Sequence, residues 1–166
     1  MENNQDFFYI REATNKDIES ILQLSKEQLK YHNSFREDMY DFSENVFEIY
    51  RQFLNNTIGK DPYNRVFLVI EKKSKEVIGY MTAYLKFKKP FEKVKKMGEI
   101  GDAFIKKEFR NYGIGESLLD YCEDFLISLG ADTVYVLVDE LNYTGISAWE
   151  KFGFESYQKK MIKRLN

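Results

Sequence analysis

Apolar positions along this chain recur with two periods, and the changes between them mark out its elements. Phe7 to Arg11 is a short β-prone run, and Thr14-Asn15-Lys16-Asp17 carries the capping-box pattern that starts a helix. Ile18, Ile21, Leu22, Ser25 and Leu29 then fall on one helical face. Val46, Ile49, Tyr50, Phe53, Leu54 and Ile58 predict a second helix, ended by Asp61-Pro62. Val66 to Glu71 and Val77 to Phe87 read as strands joined by the polar turn Lys72 to Glu76, a hairpin. A lysine-rich connection, Lys88 to Gly98, leads to a strand from Glu99 to Lys106.

Beyond that strand, Ile114, Leu118, Leu119, Cys122, Phe125, Leu126 and Leu129 form one helical stripe that Gly130 stops. Val134 to Val138 is an unbroken apolar run, expected to be a strand buried on both faces. A helix from about Thr144 to Phe152 and a strand from Phe154 to Leu165 complete the order βααβββαβαβ. That order predicts one α/β (α+β) domain over residues 1–166, with helices flanking a single mixed, mostly antiparallel sheet.

Composition narrows the partners. With 166 residues, 43% hydrophobic and 31% charged, the chain can bury a core without a staple. A net charge of -2 argues against wrapping nucleic acid, although a local basic patch remains compatible with it. One cysteine, Cys122, allows neither an intrachain disulfide nor a thiolate metal cluster. The start, Met1-Glu2-Asn3-Asn4-Gln5-Asp6, lacks a signal peptide's pattern, and no apolar run approaches a membrane span. A cytoplasmic protein with neither metal nor membrane partner is the expectation.

The candidate chemistry centres on Ile105 to Leu119, where a strand end, a basic loop and two glycines open an amphipathic helix. Glycines let backbone approach an anion, and the first N–H groups of a helix point at whatever sits there. Lys106, Lys107 and Arg110 add positive charge. A dinucleotide fold has counterparts for several parts, with Asp139 as its acid. It fails because Leu118 occupies the third glycine position and only 27 residues follow Asp139. A Walker A loop is excluded because no Gly-Lys-Ser/Thr follows.

The element order and the RxxGxG sequence at Arg110, Gly113 and Gly115 resemble the GCN5-related N-acetyltransferase (GNAT) family. An independent match lies in Asn142 to Phe154, similar to that family's C-terminal signature of Asn, an aromatic, Glu-Lys and Gly-Phe; Ile10 to Thr14 with Asp17 resembles its first strand and helix start. The resemblance implies an acyl-CoA N-acyltransferase fold and an acetyl-CoA-dependent transfer of an acetyl group to a primary amine of a small molecule. It places acetyl-CoA in a splay between the strands Glu99 to Lys106 and Val134 to Val138. Backbone at Phe104 and Ile105 would pair with the pantetheine arm. Arg110 and amides of Asn111, Tyr112, Gly113, Ile114, Gly115, Glu116 and Ser117 would hold the pyrophosphate, with Asn142 touching the pantetheine. Asn142 can equally serve as a helix cap. The partner expected is a small-molecule amine, with a homodimer compatible with the pattern.

Transfer to an amine needs the amine neutral, so a base must take a proton. Glu99 and Asp102 are the candidates, and their odd spacing predicts opposite faces of the strand, with Glu99 beside Gly101, Ala103 and Ile105. Trp149 stands where most family members have the tyrosine that protonates the departing thiolate, and an indole cannot act as a general acid. Tyr143 or Tyr112 could substitute. That departure supports one alternative, a non-catalytic or weakly catalytic CoA or acyl-CoA-binding module; a protein N-terminal or lysine acetyltransferase is a further alternative. Cys122 reads as a buried small hydrophobe, and His32 has no partner pattern. Glu37, Asp38, Asp41, Glu44 and Glu48 against Arg36 make an acidic stretch that would attract a cationic acceptor or simply face solvent.

Overall fold

The computed structural model describes residues 7–36, 43–87, 93, 94, 96–163 and 165. Five strands, β1 (Phe8–Glu12), β2 (Asn64–Glu71), β3 (Val77–Phe87), β4 (Lys96–Ile105) and β5 (Val134–Val136), form one sheet in chain order. Neighbours from β1 to β4 run antiparallel, and β5 joins β4 in parallel. Helices α1 (Ile18–Asn33) and α2 (Glu44–Thr57) cover one face, and α3 (Ile114–Ser128) covers the other. The short α4 (Tyr143–Lys151) follows β5. Among the described residues no helix is long and apolar enough to cross a membrane.

The two-faced burial expected of β5 belongs instead to β2. Val66, Leu68 and Ile70 pack with Ile21, Leu24 and Leu54 under α1 and α2, while Phe67 and Val69 pack with Leu118, Cys122 and Leu126 of α3. Such a strand shows no alternation because both faces are core. β5 is shorter than expected and none of its residues is buried, while Leu137 just beyond it is exposed. It has β4 on one side and, among the described residues, no strand on the other. The strand expected from Phe154 to Leu165 is absent from the described residues there. A strand needs a partner for its backbone groups, and this segment pairs with no strand among the described residues.

Other boundaries move for local reasons. β4 starts at Lys96, three residues before the expected Glu99, because Lys96 to Gly98 pair with Phe87 to Leu85. On α2 the inward face is Phe47, Leu54, Thr57 and Ile58, with Tyr50 packed against it, while Ile49 and Phe53 are exposed. The first turn forms as read: the Thr14 N–H donates to Asp17 Oδ2 at 2.8 Å. Arg11 donates to both Asp17 oxygens at 2.7 and 2.8 Å, and this paired guanidinium holds the Asp17 carboxyl down at about 2.

Candidate functional site

β4 is the strand that builds the site, and it is not regular. Met81 pairs with Ala103 and Ala83 with Ile100, so Gly101 and Asp102 together oppose Thr82. This is a β-bulge, and it interrupts the alternation of side chains. A Cβ on Gly101 would lie 2.3 Å from the Tyr84 ring and 2.8 Å from Thr82 Oγ1, so Gly101 faces α1 and α2. Asp102 faces the same way: its Oδ2 accepts from the Tyr50 hydroxyl at 3.0 Å, and its N–H donates to Thr82 Oγ1 at 2.6 Å.

Glu99 is on that face too, beside Tyr84, its partner on β3. The expectation of opposite faces is therefore overturned by one extra residue. Ala103 and Ile105 pack with Ile100 in the α3-side core, away from Glu99.

The two carboxylates differ in setting. Glu99 Oε2 accepts from the Tyr135 hydroxyl at 2.7 Å and lies 3.3 Å from Lys86 Nζ, with the side chain partly open. Asp102 is buried. Burial raises its carboxyl above the ordinary range, opposed by the Tyr50 hydroxyl, the nearby His32 and the Gln28 amide. Gln28 itself accepts from the Tyr80 hydroxyl at 2.6 Å, so hydrogen bonds link the middle of β3 to the bulge. Tyr84 is pushed up to about 12, by burial and by both carboxylates. Tyr50 stays protonated, its phenol raised by burial and by Asp102.

β4 and β5 pair only from Gly98 with Val134 to Ile100 with Val136. Beyond that they diverge, and a cleft opens whose walls include Gly101, Ala103, Val136, Val138, Asn142 and Trp149. Ile105 directs its carbonyl toward this side, accepting from Arg110 Nε at 2.9 Å. In an antiparallel ladder a residue's N–H and C=O point the same way, so the Ile105 N–H serves the same slot. His32 and Gln28 close the α1 side. Burial lowers the His32 imidazole, against the charges of Asp102 and Asp139.

The glycine turn stands at the end of β4. Asn111 (φ 68°) and Gly113 (φ 77°) are left-handed, and Gly113 caps α3, whose first backbone N–H groups precede the Ser117 to Gly113 hydrogen bond. No atom lies within 4 Å of where a Gly113 Cβ would be, so backbone there is open to a ligand. Gly115 does something else: its Cβ would lie 3.3 Å from the Phe152 ring, so its missing side chain lets α3 pack on α4. Arg110 bends back over the Tyr31 and Phe104 rings, 5.8 and 5.7 Å away. Lys106 pairs with Glu76, while Lys107, Asn111 and Tyr112 are exposed.

Asn142 caps α4, its Oδ1 accepting from the Gly145 N–H at 3.0 Å and the Tyr31 hydroxyl at 3.1 Å. Trp149 packs edge-on against Phe152 and Phe154 with its ring in the cleft wall. Tyr143 is highly exposed at the first turn of α4. Cys122 is buried, its thiol pushed up by desolvation. Of the acidic stretch, Glu37, Asp38 and Asp41 lie outside the described residues, Glu44 opens α2, and Glu48 pairs with Arg51 at 2.6 Å. Arg36 is bound to Asp139 at 2.8 Å, tying the segment after α1 to the β5–α4 turn.

Residues 21–154 match the Acetyltransferase (GNAT) family. The chain belongs to this family. Like its relatives it is an acetyltransferase. It is 26% identical over 161 residues to an N-alpha-acetyltransferase of Sulfolobus acidocaldarius, covering 94% of this chain and 83% of that protein. In fold it is similar to a tetramutant of the BH1408 protein from Bacillus halodurans (TM-score 0.80, 17% identity, 95% and 99% of the two chains). It is also similar to the aminoglycoside N-acetyltransferase AAC(6')-Iy in complex with CoA (TM-score 0.77, 14% identity, 95% and 94%).

Reading the acetyltransferase from sequence alone found both carboxylates, the glycine turn and Trp149 but missed Gln28, His32, Tyr50 as a polar group, Thr82, Tyr84 and Tyr135. A signal for two of them exists. Gln28 and His32 continue the spacing of Ile21, Leu24 and Ser25, and polar residues on a buried stripe need partners.

Proposed function

We propose that this acetyltransferase moves the acetyl group of acetyl-CoA to a primary amine of a small, cationic molecule by direct attack on the thioester. The observation that carries the reading is the bulge in β4, which sets Glu99 and Asp102 on one face of the strand beside the slot where β4 and β5 part. Two carboxylates there attract an ammonium and supply a site for its proton.

The slot suits the donor. Ile105 backbone would pair with the pantetheine arm, and open amides from Asn111 to Ser117 at the left-handed turn would receive the pyrophosphate, with Arg110 swinging from the Ile105 carbonyl to the phosphate. Bound acetyl-CoA supplies an acyl carbon that an uncharged amine can attack. Glu99, more open than Asp102, accepts the amine proton directly or through a water, and the Ile105 N–H donates to the acyl oxygen as it gains charge. A nitrogen–carbon bond forms, the carbon–sulfur bond breaks, and the sulfur leaves as thiolate. With a thiol pKa of about 8.5 that departure needs no strong acid, which is compatible with Trp149 in the wall.

Asp102, held by Tyr50 and Gln28, faces the acceptor side and steadies the bulge. The Sulfolobus acidocaldarius relative favours a second reading, in which the acceptor is the α-amine of a peptide.

The test is thiol release from acetyl-CoA with polyamines, aminoglycosides and unblocked peptides as acceptors. Turnover of small cations and loss of about a hundredfold or more in Glu99→Gln support the proposal. Turnover of peptides alone transfers the case to the α-amine reading. An unchanged rate and pH profile in Glu99→Gln removes Glu99 as base.

A further inference from the structure

Acetyl transfer to an ammonium removes two protons from one nitrogen. The first must leave before the lone pair can attack, and that is the proton assigned above to Glu99. Attack then gives a tetrahedral intermediate whose nitrogen is positive again. A second proton has to leave it before the amide forms, and the departing sulfur stays negative until it gains one. A group beside the slot that can hold a proton briefly serves both needs.

The wall of the slot narrows the choice. Gly101, Ala103, Val136 and Val138 bring no titratable side chain, and an indole such as Trp149 neither takes nor gives a proton near neutral pH. Asn142 is engaged by the Gly145 N–H and the Tyr31 hydroxyl. Asp139 is desolvated, but Arg36 at 2.8 Å and the Leu141 N–H outweigh this and hold its carboxyl below the ordinary range, so it stays ionised. His32 has the chemistry the others lack. It stands on the last turn of α1 and lines the same wall, its ring 6.0 Å from Tyr31 and 5.7 Å from Phe35.

The surroundings suit a proton carrier. Burial lowers the imidazole and keeps it in the form that accepts a proton. Asp102 on β4 and Asp139 beyond β5 act in the other sense and favour the imidazolium once it forms. Each of those acids is itself held, Asp102 by the Tyr50 hydroxyl and Asp139 by Arg36, and Arg110 lies over the Tyr31 ring.

We propose that His32 carries the second proton, its imidazole taking it from the nitrogen of the tetrahedral intermediate and handing it to the sulfur as the carbon–sulfur bond breaks. The nitrogen–carbon bond is by then in place, so amide and free thiol are the products, and the imidazole returns to its starting form without another reactant. The inference rests on the direct attack described under Proposed function, and it holds for a small amine and for a peptide α-amine alike.

The experiment measures thiol release from acetyl-CoA, with spermidine and an unblocked peptide as acceptors, in the parent chain, Glu99→Gln, His32→Gln and His32→Ala, with thermal melts to establish that each is folded. The expected His32→Gln result is a fall in kcat of about a hundredfold with KM for donor and acceptor little changed. Free imidazole should restore rate to His32→Ala, where space is vacated, and not to His32→Gln, whose side chain fills it. Raising the pH toward the acceptor's own pKa should shrink the Glu99→Gln loss, because the amine then arrives uncharged. The His32→Gln loss should persist there, because the second proton still has to leave; this comparison decides the matter if His32→Ala does not fold.

A His32→Gln chain that keeps its kcat, or changes in KM alone, overturns the proposal, since the ring would then only bind. A folded but slow His32→Ala that imidazole does not rescue overturns it too. A parent chain that acetylates neither acceptor overturns direct transfer to these amines and the His32 role with it, whereas an active parent with an unimpaired His32→Gln overturns the His32 role alone.

Discussion

Tyr50→Phe removes a single oxygen, the one whose hydroxyl donates to Asp102 Oδ2 at 3.0 Å. The ring remains, so packing against the α1–α2 core is kept and the change reports on the hydrogen bond. A hydrogen bond to an ionised group contributes about 1.5 to 3 kcal/mol, and one to a neutral group about 0.5 to 1.5 kcal/mol. While Asp102 is ionised, the variant should therefore lose roughly 2 kcal/mol, a fall in Tm of about 4 to 8 °C for a chain of this size.

The loss has a sign in pH. The phenol favours the carboxylate, so removing it moves the Asp102 pKa further up from where burial has already raised it. Above that raised pKa the full cost is present; as pH falls through it the carboxyl protonates in both proteins and the cost shrinks to the neutral value. Thermal melts on either side of that raised pKa read the two limits directly. A loss equal at both would refute the argument, since it would mean that Tyr50 serves packing alone or that Asp102 is never ionised in the fold.

Arg11→Met should cost about 1 to 2 kcal/mol near neutral pH, because Asp17 sits at about 2 against an ordinary 3.8. Its carboxyl is depressed, so this stability is present above the ordinary value and lost as pH falls toward 2; urea midpoints at neutral and acid pH should converge. Arg110→Met should raise KM for acetyl-CoA about tenfold or more with the melting temperature little changed, and an unaltered KM would remove Arg110 from the donor site. Gly115→Val should push against the Phe152 ring, 3.3 Å from the new Cβ, and cost about 1 to 3 kcal/mol in thermal melts.

What the sequence could reveal divides along physical lines. α1, α3, α4 and the β2–β3 hairpin were readable because each repeats its own period over several turns or pairs, and the cap at Thr14 and the stop at Gly130 are local chemistry. Both glycines were visible as a motif, but only the fold separates Gly113, which bends the chain, from Gly115, which clears room for Phe152. Glu99 and Asp102 were found as residues and misplaced as a pair. A bulge is set by how β4 registers on β3, and a strand's own sequence does not contain its partner. The same limit applies to β5 and to Phe154 onward, where β propensity is evident but pairing depends on an edge elsewhere. Gln28 escaped notice because its meaning is Tyr80, 52 positions away.

The bulge also bears on the trade between stability and activity. Gly101 and Asp102 share the place that one residue fills in a regular strand, and β4 leaves β5 directly after Ile100, at that point. A chain lacking Gly101 would restore uninterrupted pleating without turning any later side chain over, and β5 could zip onto the straightened edge. Such a one-residue deletion would gain ladder bonds and close the slot, a sturdier sheet with no place for the proposed cosubstrate. The donor slot proposed for this acetyltransferase is a seam that its own sheet leaves unfinished.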